Sequence, residues 1–137
     1  MKIHIDGQSL SKRLAPGSGG IYRAVFSGRR IGSSKTSGNP TMNLELTLQT
    51  QGPNPDVKTV GKALYDVITF TEDSLWRANL LFNVVAGKDI PEADYTADEL
   101  FALLWNTIAN KVVTIEVQDD TYEGVTRPKV IRYLGLA

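Results

Sequence analysis

Apolar and polar residues alternate with period two along several segments of the chain, a pattern that predicts half-buried β-strands. The clearest alternation runs from Met42 to Leu48, where every second side chain is apolar. In the preceding segment, Gly28 lies where a bulge or bend is expected. We predict five strands, over about residues 20–30, 41–50, 57–70, 112–117 and 128–134.

Between the third and fourth predicted strands, the apolar spacing becomes helical. Thr71 is the expected N-cap of a first helix, with Glu72 and Asp73 in its first turn, where the helix dipole favours negative charge. Gly87 is expected to end this helix, because glycine readily takes the left-handed conformation that follows a last helical turn. A linker through Pro91 then leads to a second helix.

Each of the two predicted helices carries a tryptophan on its apolar face. In the first helix, Trp76 and Leu80 belong to a series that recurs every four residues, so this series is expected to face the core. The second helix begins with a capping-box pattern formed by Thr96 and Glu99, and it carries Trp105. Both tryptophans are expected to be core or interface anchors.

The order of these elements, three strands followed by helices and a final hairpin, is that of the five-stranded OB-fold barrel. The expected fold class is therefore mainly β with two short helices, as an OB-fold barrel with a helical insertion between strands 3 and 4. A split sandwich with helices against one open sheet stays open as an alternative. At 137 residues, the chain is expected to form a single domain, residues 1–137. Residues 1–19 are expected to be a flexible arm or to hold an extra short strand at Ile3-His4-Ile5.

A basic loop, Ser34–Pro40, joins the first two strands and carries Lys35, Gly38 and Asn39. Its place between two half-buried strands indicates a hairpin loop that meets a ligand. An ordinary surface hairpin is the alternative. The order of elements around the loop and the placement of charge favour the first interpretation.

Charge is distributed unevenly along a chain whose formal net charge is zero. Residues 1–70 carry nine lysines and arginines against four acidic residues, whereas residues 71–111 carry three against seven. The last stretch, 112–137, has three against four. A neutral protein with such segregation can present a basic face to a polyanion, because the local field guides association. If the stretches intermix in space, the segregation disappears, and this alternative stays open.

The composition excludes several classes of protein and site. The chain has no cysteine, which removes disulfide scaffolds, thiolate zinc sites and cysteine nucleophiles. No apolar run reaches the length of a signal-peptide core or a membrane span, so we expect a soluble protein that is neither secreted nor membrane-bound. An intracellular setting is compatible with this composition.

No catalytic constellation emerges, and we expect a protein without enzymatic activity, metal or cofactor. The single histidine of the sequence, His4, has no partner that can be identified from spacing. Asp119, Asp120 and Glu123 could ligate a hard metal ion. An Asp-Asp pair followed by Gly124 is, however, also typical of a turn between two strands.

Four short motifs occur in a recognisable order along residues 20–134. They are Gly20-Ile21-Tyr22, Lys35-Thr36-Ser37-Gly38-Asn39, Phe70-Thr71-Glu72-Asp73-Ser74-Leu75-Trp76-Arg77 and Tyr122-Glu123-Gly124-Val125-Thr126-Arg127-Pro128-Lys129-Val130. In this order they resemble the bacteriophage single-stranded DNA-binding proteins of the OB-fold group. The resemblance implies sequence-nonspecific binding that protects and organises exposed single-stranded DNA in phage DNA replication and recombination.

The same resemblance implies a location and partners. A viral protein of this kind works in the cytoplasm of the infected bacterial host, alongside replication and recombination proteins, and a homo-oligomer is compatible with it. Many such proteins end in an acidic tail that recruits partners, whereas this sequence ends at Gly135-Leu136-Ala137. Either recruitment works differently here or the tail is missing.

Binding of single strands without sequence preference needs cations that follow phosphates and flat side chains on which bases stack. Tyr65 is either such a stacking platform or a cross-strand packing residue. By parity, Lys58 and Lys62 face the core side of the third strand, so we expect a bulge near Gly61 or solvent at an open strand end. The candidate nucleic-acid-binding residues are Lys12, Arg13, Arg23, Arg29, Arg30, Lys35, Lys58, Lys62, Tyr65, Tyr122, Arg127 and Lys129.

A second function is compatible with the same pattern. A protein-interaction or virion structural module on a small β-barrel would turn its aromatic residues and arginines toward a partner chain. Salt distinguishes the two functions, because phosphate binding weakens steeply and log-linearly as salt rises, whereas an apolar protein interface does not.

Overall fold

The computed structural model describes residues 2–3 and 11–137. The predicted short strand at Ile3-His4-Ile5 depends on His4 and Ile5, which lie outside the described residues. The elements, in chain order, are β1 (Gly20–Ser33), β2 (Pro40–Leu48), β3 (Ala63–Thr69), α1 (Leu75–Ala86), α2 (Ala97–Ile108), β4 (Val112–Tyr122) and β5 (Val125–Leu136).

The five strands form one antiparallel sheet in the order β3-β2-β1-β4-β5. Every second residue from Met42 to Leu48 is buried with an exposure of 1% or less. β1 contributes Tyr22, Ala24 and Phe26 to the same core. The prediction of a mainly β protein with five strands and two helices is therefore confirmed.

A bulge divides β1 into two halves. The pairing register with β2 shifts between Phe26 and Gly28, where a bulge or bend was expected from the glycine. Residues 20–25 of β1 pair with β4, whereas residues 28–33 pair with β2 alone. Because a bulge bends its strand, the distal half of β1 leaves β4 and continues as a two-stranded ribbon with β2.

The two outer strands of the sheet, β3 and β5, are joined by side chains. The Tyr133 hydroxyl of β5 donates a hydrogen bond of 2.7 Å to the Asp66 carboxylate of β3. Arg77 of α1 donates to both oxygens of the same carboxylate at 3.3 Å. Asp66 is buried, and α1 contacts both strands at this seam. The contacts between β3 and β5 give the sheet a barrel-like shape.

Because of the Tyr133 hydroxyl, the stability of the fold is expected to depend on pH in the alkaline range. Burial, and after it the charge of Asp66, raises the pKa of Tyr133 well above its ordinary value. The folded chain therefore keeps a proton that the unfolded chain loses, so this contribution is complete below about pH 10 and declines as pH rises further. We expect the urea midpoint to decline more steeply above about pH 10 in the natural protein than in Tyr133→Phe. Parallel declines in the two proteins would contradict this assignment.

The predicted start of the first helix is wrong. The N-cap is Ser74 and not Thr71, so Glu72 and Asp73 lie before the first helical turn. The Ser74 hydroxyl donates to the carbonyl of Thr69 at 2.8 Å, and its amide donates to the carbonyl of Thr71 at 3.1 Å. These bonds fold the predicted first turn into a tight turn that precedes the helix.

The predicted apolar face of α1 is also wrong. Trp76 and Leu80 are 64% and 51% exposed, whereas Ala78, Leu81 and Phe82 are buried. Both series have helical spacing, so the sequence pattern alone does not choose between them. The position of α1 over the β3–β5 seam selects the second series, and Trp76 is not a core anchor.

The end of α1 and the start of α2 follow the predictions. Gly87 ends α1 with a left-handed φ of 73°. Thr96 and Glu99 form a capping box in which each side chain accepts from the other residue's amide at 3.1 Å. Trp105 packs partly buried against the core, as expected of an anchor. Neither helix is long and apolar enough to cross a membrane, nor is any other helix in the described part of the chain.

The third strand is shorter than predicted. It begins at Ala63, because Gly61, with a φ of 81°, turns the chain just before it. Lys58 lies in the preceding loop, and the buried Lys62 donates from its ammonium group to the carbonyl of Ser11. The placement of both lysines on this strand is therefore wrong, whereas an irregularity near Gly61 is confirmed.

The final hairpin is longer than predicted. Its turn consists of Glu123 and Gly124 alone, with φ values of 51° and 78°. Two positive φ values are typical of a type I′ turn, whose twist matches that of the flanking strands. β4 pairs with β1 only as far as Val117, so residues 118–129 form a two-stranded ribbon that extends past β1.

Part of the predicted flexible arm packs on the barrel. The amide of Ala63 donates to the carbonyl of Lys12 at 2.8 Å, and the amide of Leu14 donates to the carbonyl of Ala63 at 3.0 Å. Leu14 is buried with 4% exposure. Arg13 therefore forms an isolated parallel bridge with Ala63, the first residue of β3.

Candidate nucleic-acid interface

An open groove of about 1530 Å³ runs between the β2–β3 surface and the β4–β5 ribbon. Ser11, residues 13–16 and the distal half of β1 complete its walls. The groove therefore lies where elements distant in sequence converge. It is named the cationic groove below, and its charged and tyrosine side chains are Arg13, Arg29, Arg30, Glu45, Tyr65, Asp66, Arg77, Asp120, Tyr122, Glu123, Arg127 and Lys129.

The floor of the groove is the outer face of β2 and β3. Glu45 pairs with Tyr65, and Asn43 pairs with Val67, so these four side chains share the face opposite the core. Arg30 of β1 pairs with Asn43 and extends the same face. Tyr65 and Val67 are 38% and 43% exposed, so the floor offers a flat ring and an apolar patch to a ligand.

Residues 12 and 13 lie across one end of this floor. The Arg13 guanidinium lies 4.6 Å from the centroid of the Tyr65 ring, within the range of a cation–π contact. The Lys12 ammonium donates to Glu45 at 3.1 Å. That hydrogen bond is the main reason that the pKa of Glu45 lies below its ordinary value and that of Lys12 above. Both arm cations are thus held by side chains of the floor.

The distal half of β1 places two arginines on opposite faces. Arg30 shares the outer face with Asn43, whereas Arg29 pairs with Leu44 and points to the side of α2. The Arg29 guanidinium lies 5.9 Å from the centroid of the Trp105 ring. Both arginines are exposed and both line the groove.

The opposite wall is one face of the β4–β5 ribbon. Tyr122 pairs with Val125, Asp120 with Arg127, and Gln118 with Lys129. Directly opposite residues and their neighbours two positions away share a face of a ribbon. The wall therefore carries Tyr122, which is 74% exposed, at the tip of the ribbon. Arg127 and Lys129 lie farther from the tip on the same face.

Among the described residues that line the groove, cations outnumber carboxylates by six to four. Two of the carboxylates have partners of their own, since Asp66 is bonded to Arg77 and Glu45 to Lys12. The formally neutral protein thus collects positive charge on one surface. Coulombic guidance of a polyanion depends on such a local field rather than on net charge.

Seven of the twelve residues predicted from sequence line this groove: Arg13, Arg29, Arg30, Tyr65, Tyr122, Arg127 and Lys129. Lys12 adjoins it through Glu45. Arg23 lies on the outer face of β1 beside β4, and Lys35 lies in the exposed loop between β1 and β2. Lys58 and Lys62 precede β3, and neither lines the groove.

Several groove residues were not predicted, among them Asn43, Glu45, Val67 and Val125. Asn43 and Val67 flank the pair Glu45–Tyr65 on the same face, and the parity of Tyr65 was a signal that could have identified Val67. Val125 follows the hairpin turn and is 50% exposed.

The hairpin carboxylates of Asp119, Asp120 and Glu123 are not grouped together in the part of the chain that the structure describes. Among the residues that the structure describes, no three histidine, aspartate or glutamate side chains are grouped so that they could hold a metal ion. The Asp119 carboxylate accepts a hydrogen bond of 2.8 Å from the amide of Gly17. It thereby ties the ribbon to the segment that leads into β1.

The chain was also compared with known proteins. No model of a known protein family matches this chain, and a search of curated proteins finds no match to it. The candidate function therefore depends on the groove and on the sequence motifs.

Proposed function

We propose that this protein binds single-stranded DNA, without strong sequence preference, in the cationic groove. The observation that carries the proposal is the combination of two exposed tyrosines, Tyr65 and Tyr122, with arginines in one open groove. Single-strand binding needs both kinds of group, because cations follow the phosphates and aromatic rings stack on the bases.

The architecture supports the proposal if the fold is an OB-fold barrel. In that fold, oligonucleotides bind on the face of strands 2 and 3, between the loops that join strands 1–2 and 4–5. The groove has β2 and β3 as its floor and the β4–β5 ribbon as a wall. The contact between Tyr133 and Asp66 links the first and last strands of the sheet order, as closure of a barrel requires.

The placement of the two tyrosines favours a single strand. Tyr65 lies on the floor and Tyr122 on the opposite wall, so unpaired bases can turn toward either ring while the phosphates follow the arginines. A duplex keeps its bases stacked on one another and offers no unpaired base to a tyrosine. We infer a role in protecting and organising exposed strands during phage DNA replication or recombination, from the resemblance of the motifs.

The proposal is tested by fluorescence anisotropy of a labelled oligo-dT of about 30 nucleotides, titrated at low and moderate salt. A duplex of the same length serves as competitor. Tight binding that weakens log-linearly with salt and resists the duplex is the expected result. Absence of binding at low salt would reject the proposal and favour a protein-interaction or virion structural module.

Tyr122→Ala is expected to weaken oligo-dT binding about fivefold to a hundredfold, because a stacked base contributes about 1–3 kcal/mol. The ring is exposed at the ribbon tip, so the melting temperature should not change. Trp76→Ala is the matched control, since Trp76 is also an exposed aromatic residue but lies outside the groove. Equal affinities of the natural protein and Tyr122→Ala would remove the ribbon tip from the site.

A further inference from the structure

The centre of the groove floor holds a carboxylate, that of Glu45. A surface that only followed phosphates would be weakened by a negative charge at this place, because the carboxylate repels the backbone. Glu45 lies directly opposite Tyr65 across the β2–β3 pairing. The position of the charge therefore suggests contact with a base rather than with the backbone.

The carboxylate keeps capacity for another hydrogen bond. One oxygen accepts from Lys12 at 3.1 Å and the other from the Ser27 hydroxyl at 3.0 Å, and the carboxylate also accepts from the Tyr65 hydroxyl. An ionised carboxylate has about four acceptor positions. The Lys12 ammonium lowers the pKa of Glu45, so the group is an ionised acceptor at neutral pH.

Gly28 leaves the carboxylate accessible from β1. A Cβ atom at this position would lie 3.6 Å from the Cβ of Glu45 and 3.8 Å from its Oε1. A larger side chain there would extend over the carboxylate. On the other side of Glu45, the Arg13 guanidinium covers one face of the Tyr65 ring, and the ring is 38% exposed.

We propose that Tyr65 and Glu45 form a nucleobase subsite, in which the base stacks on Tyr65 and donates a hydrogen bond from an exocyclic amino group to Glu45. Cytosine, adenine and guanine carry such a group, whereas thymine and uracil present carbonyl oxygens beside N3. A carboxylate accepts from the N4 amino group of cytosine in known readout geometry. The subsite rests on the proposed single-strand binding and adds a modest base preference to it.

Two oligonucleotides of about 15 nucleotides, one of deoxycytidine and one of deoxyuridine, test the subsite at mildly alkaline pH, where cytosine is unprotonated. Neither base carries a methyl group, so the strands differ chiefly in the amino or keto edge. We expect the natural protein to bind the deoxycytidine strand roughly threefold to tenfold more tightly, as one added hydrogen bond allows. Glu45→Gln should reduce this ratio to within about twofold of unity, since an amide can both donate and accept.

Asp120→Asn is the matched control, because it removes a groove carboxylate that lies away from Tyr65. It should raise affinity for both strands and leave their ratio unchanged. If circular dichroism shows that Glu45→Gln folds poorly, Tyr65→Ala takes its place. It should also bring the ratio of the two affinities close to unity. Tight but equal binding of both strands by the natural protein, or a preference that survives Glu45→Gln, would overturn the subsite alone. Failure to bind either strand would instead reject the proposed function.

Discussion

Replacing Arg29 and Arg30 together by alanine is expected to weaken binding of oligo-dT about tenfold to a hundredfold at low salt. Both guanidinium groups are exposed and line the groove from the bend of β1. Each lost phosphate contact should also reduce the slope of log affinity against log salt by about 0.7. Anisotropy titrations over a series of salt concentrations measure both quantities.

Arg23→Ala combined with Lys35→Ala is the matched control for this double variant. It removes the same charge, but Arg23 and Lys35 do not line the groove. The salt slope should therefore stay close to that of the natural protein. If the control weakens binding as much as the groove variant does, net charge rather than the groove determines affinity, and the placement of the site is wrong.

The stability of the groove variant is expected to change little. The Arg29 contact with Trp105 lies at the outer limit of a cation–π interaction, and such contacts at exposed sites contribute about 0.5–1 kcal/mol. Thermal unfolding followed by circular dichroism checks this expectation. A large loss of stability would mean that weakened binding reflects unfolding, and the comparison would then be repeated with Arg30→Ala alone.

The sequence predicts the strands better than the faces of the helices. Alternation from Met42 to Leu48 identifies a buried face because a strand has only two faces, and burial confirms it. In α1, however, two apolar series have the same helical spacing. Only packing over the β3–β5 seam decides that Phe82 is buried and Trp76 is exposed.

Residues of the groove are predictable where one element holds them. Tyr122, Arg127 and Lys129 were predicted because they lie in one hairpin, whose turn the local sequence indicates. Gly61 indicated an irregularity before β3, but Lys58 and Lys62 were still misplaced, because the bond from Lys62 to the distant Ser11 carbonyl has no local signature. Contacts across long sequence separations could not be predicted from alternation at all.

The network of Asp66, Tyr133 and Arg77 is such a contact, and breaking it is expected to lower stability. Asp66→Ala should lower the free energy of unfolding by about 2–4 kcal/mol, since it leaves the Tyr133 hydroxyl without its acceptor and Arg77 with the Val67 carbonyl alone. The Arg77 side chain is partly exposed, so water replaces some of the hydrogen bonds that it loses. The loss of stability reaches the upper end of this range only if water does not reach the Tyr133 hydroxyl. Urea denaturation at neutral pH measures the change.

A double-mutant cycle separates the network from a general packing defect. In the Asp66→Ala background, Tyr133→Phe should cost little or restore stability, because removing the hydroxyl also removes the unsatisfied buried donor. In the natural background the same substitution leaves Asp66 with Arg77 as partner, so it should cost about 1 kcal/mol. Additive losses would show that Tyr133 and Asp66 act independently, and the seam between β3 and β5 would then depend on apolar packing alone.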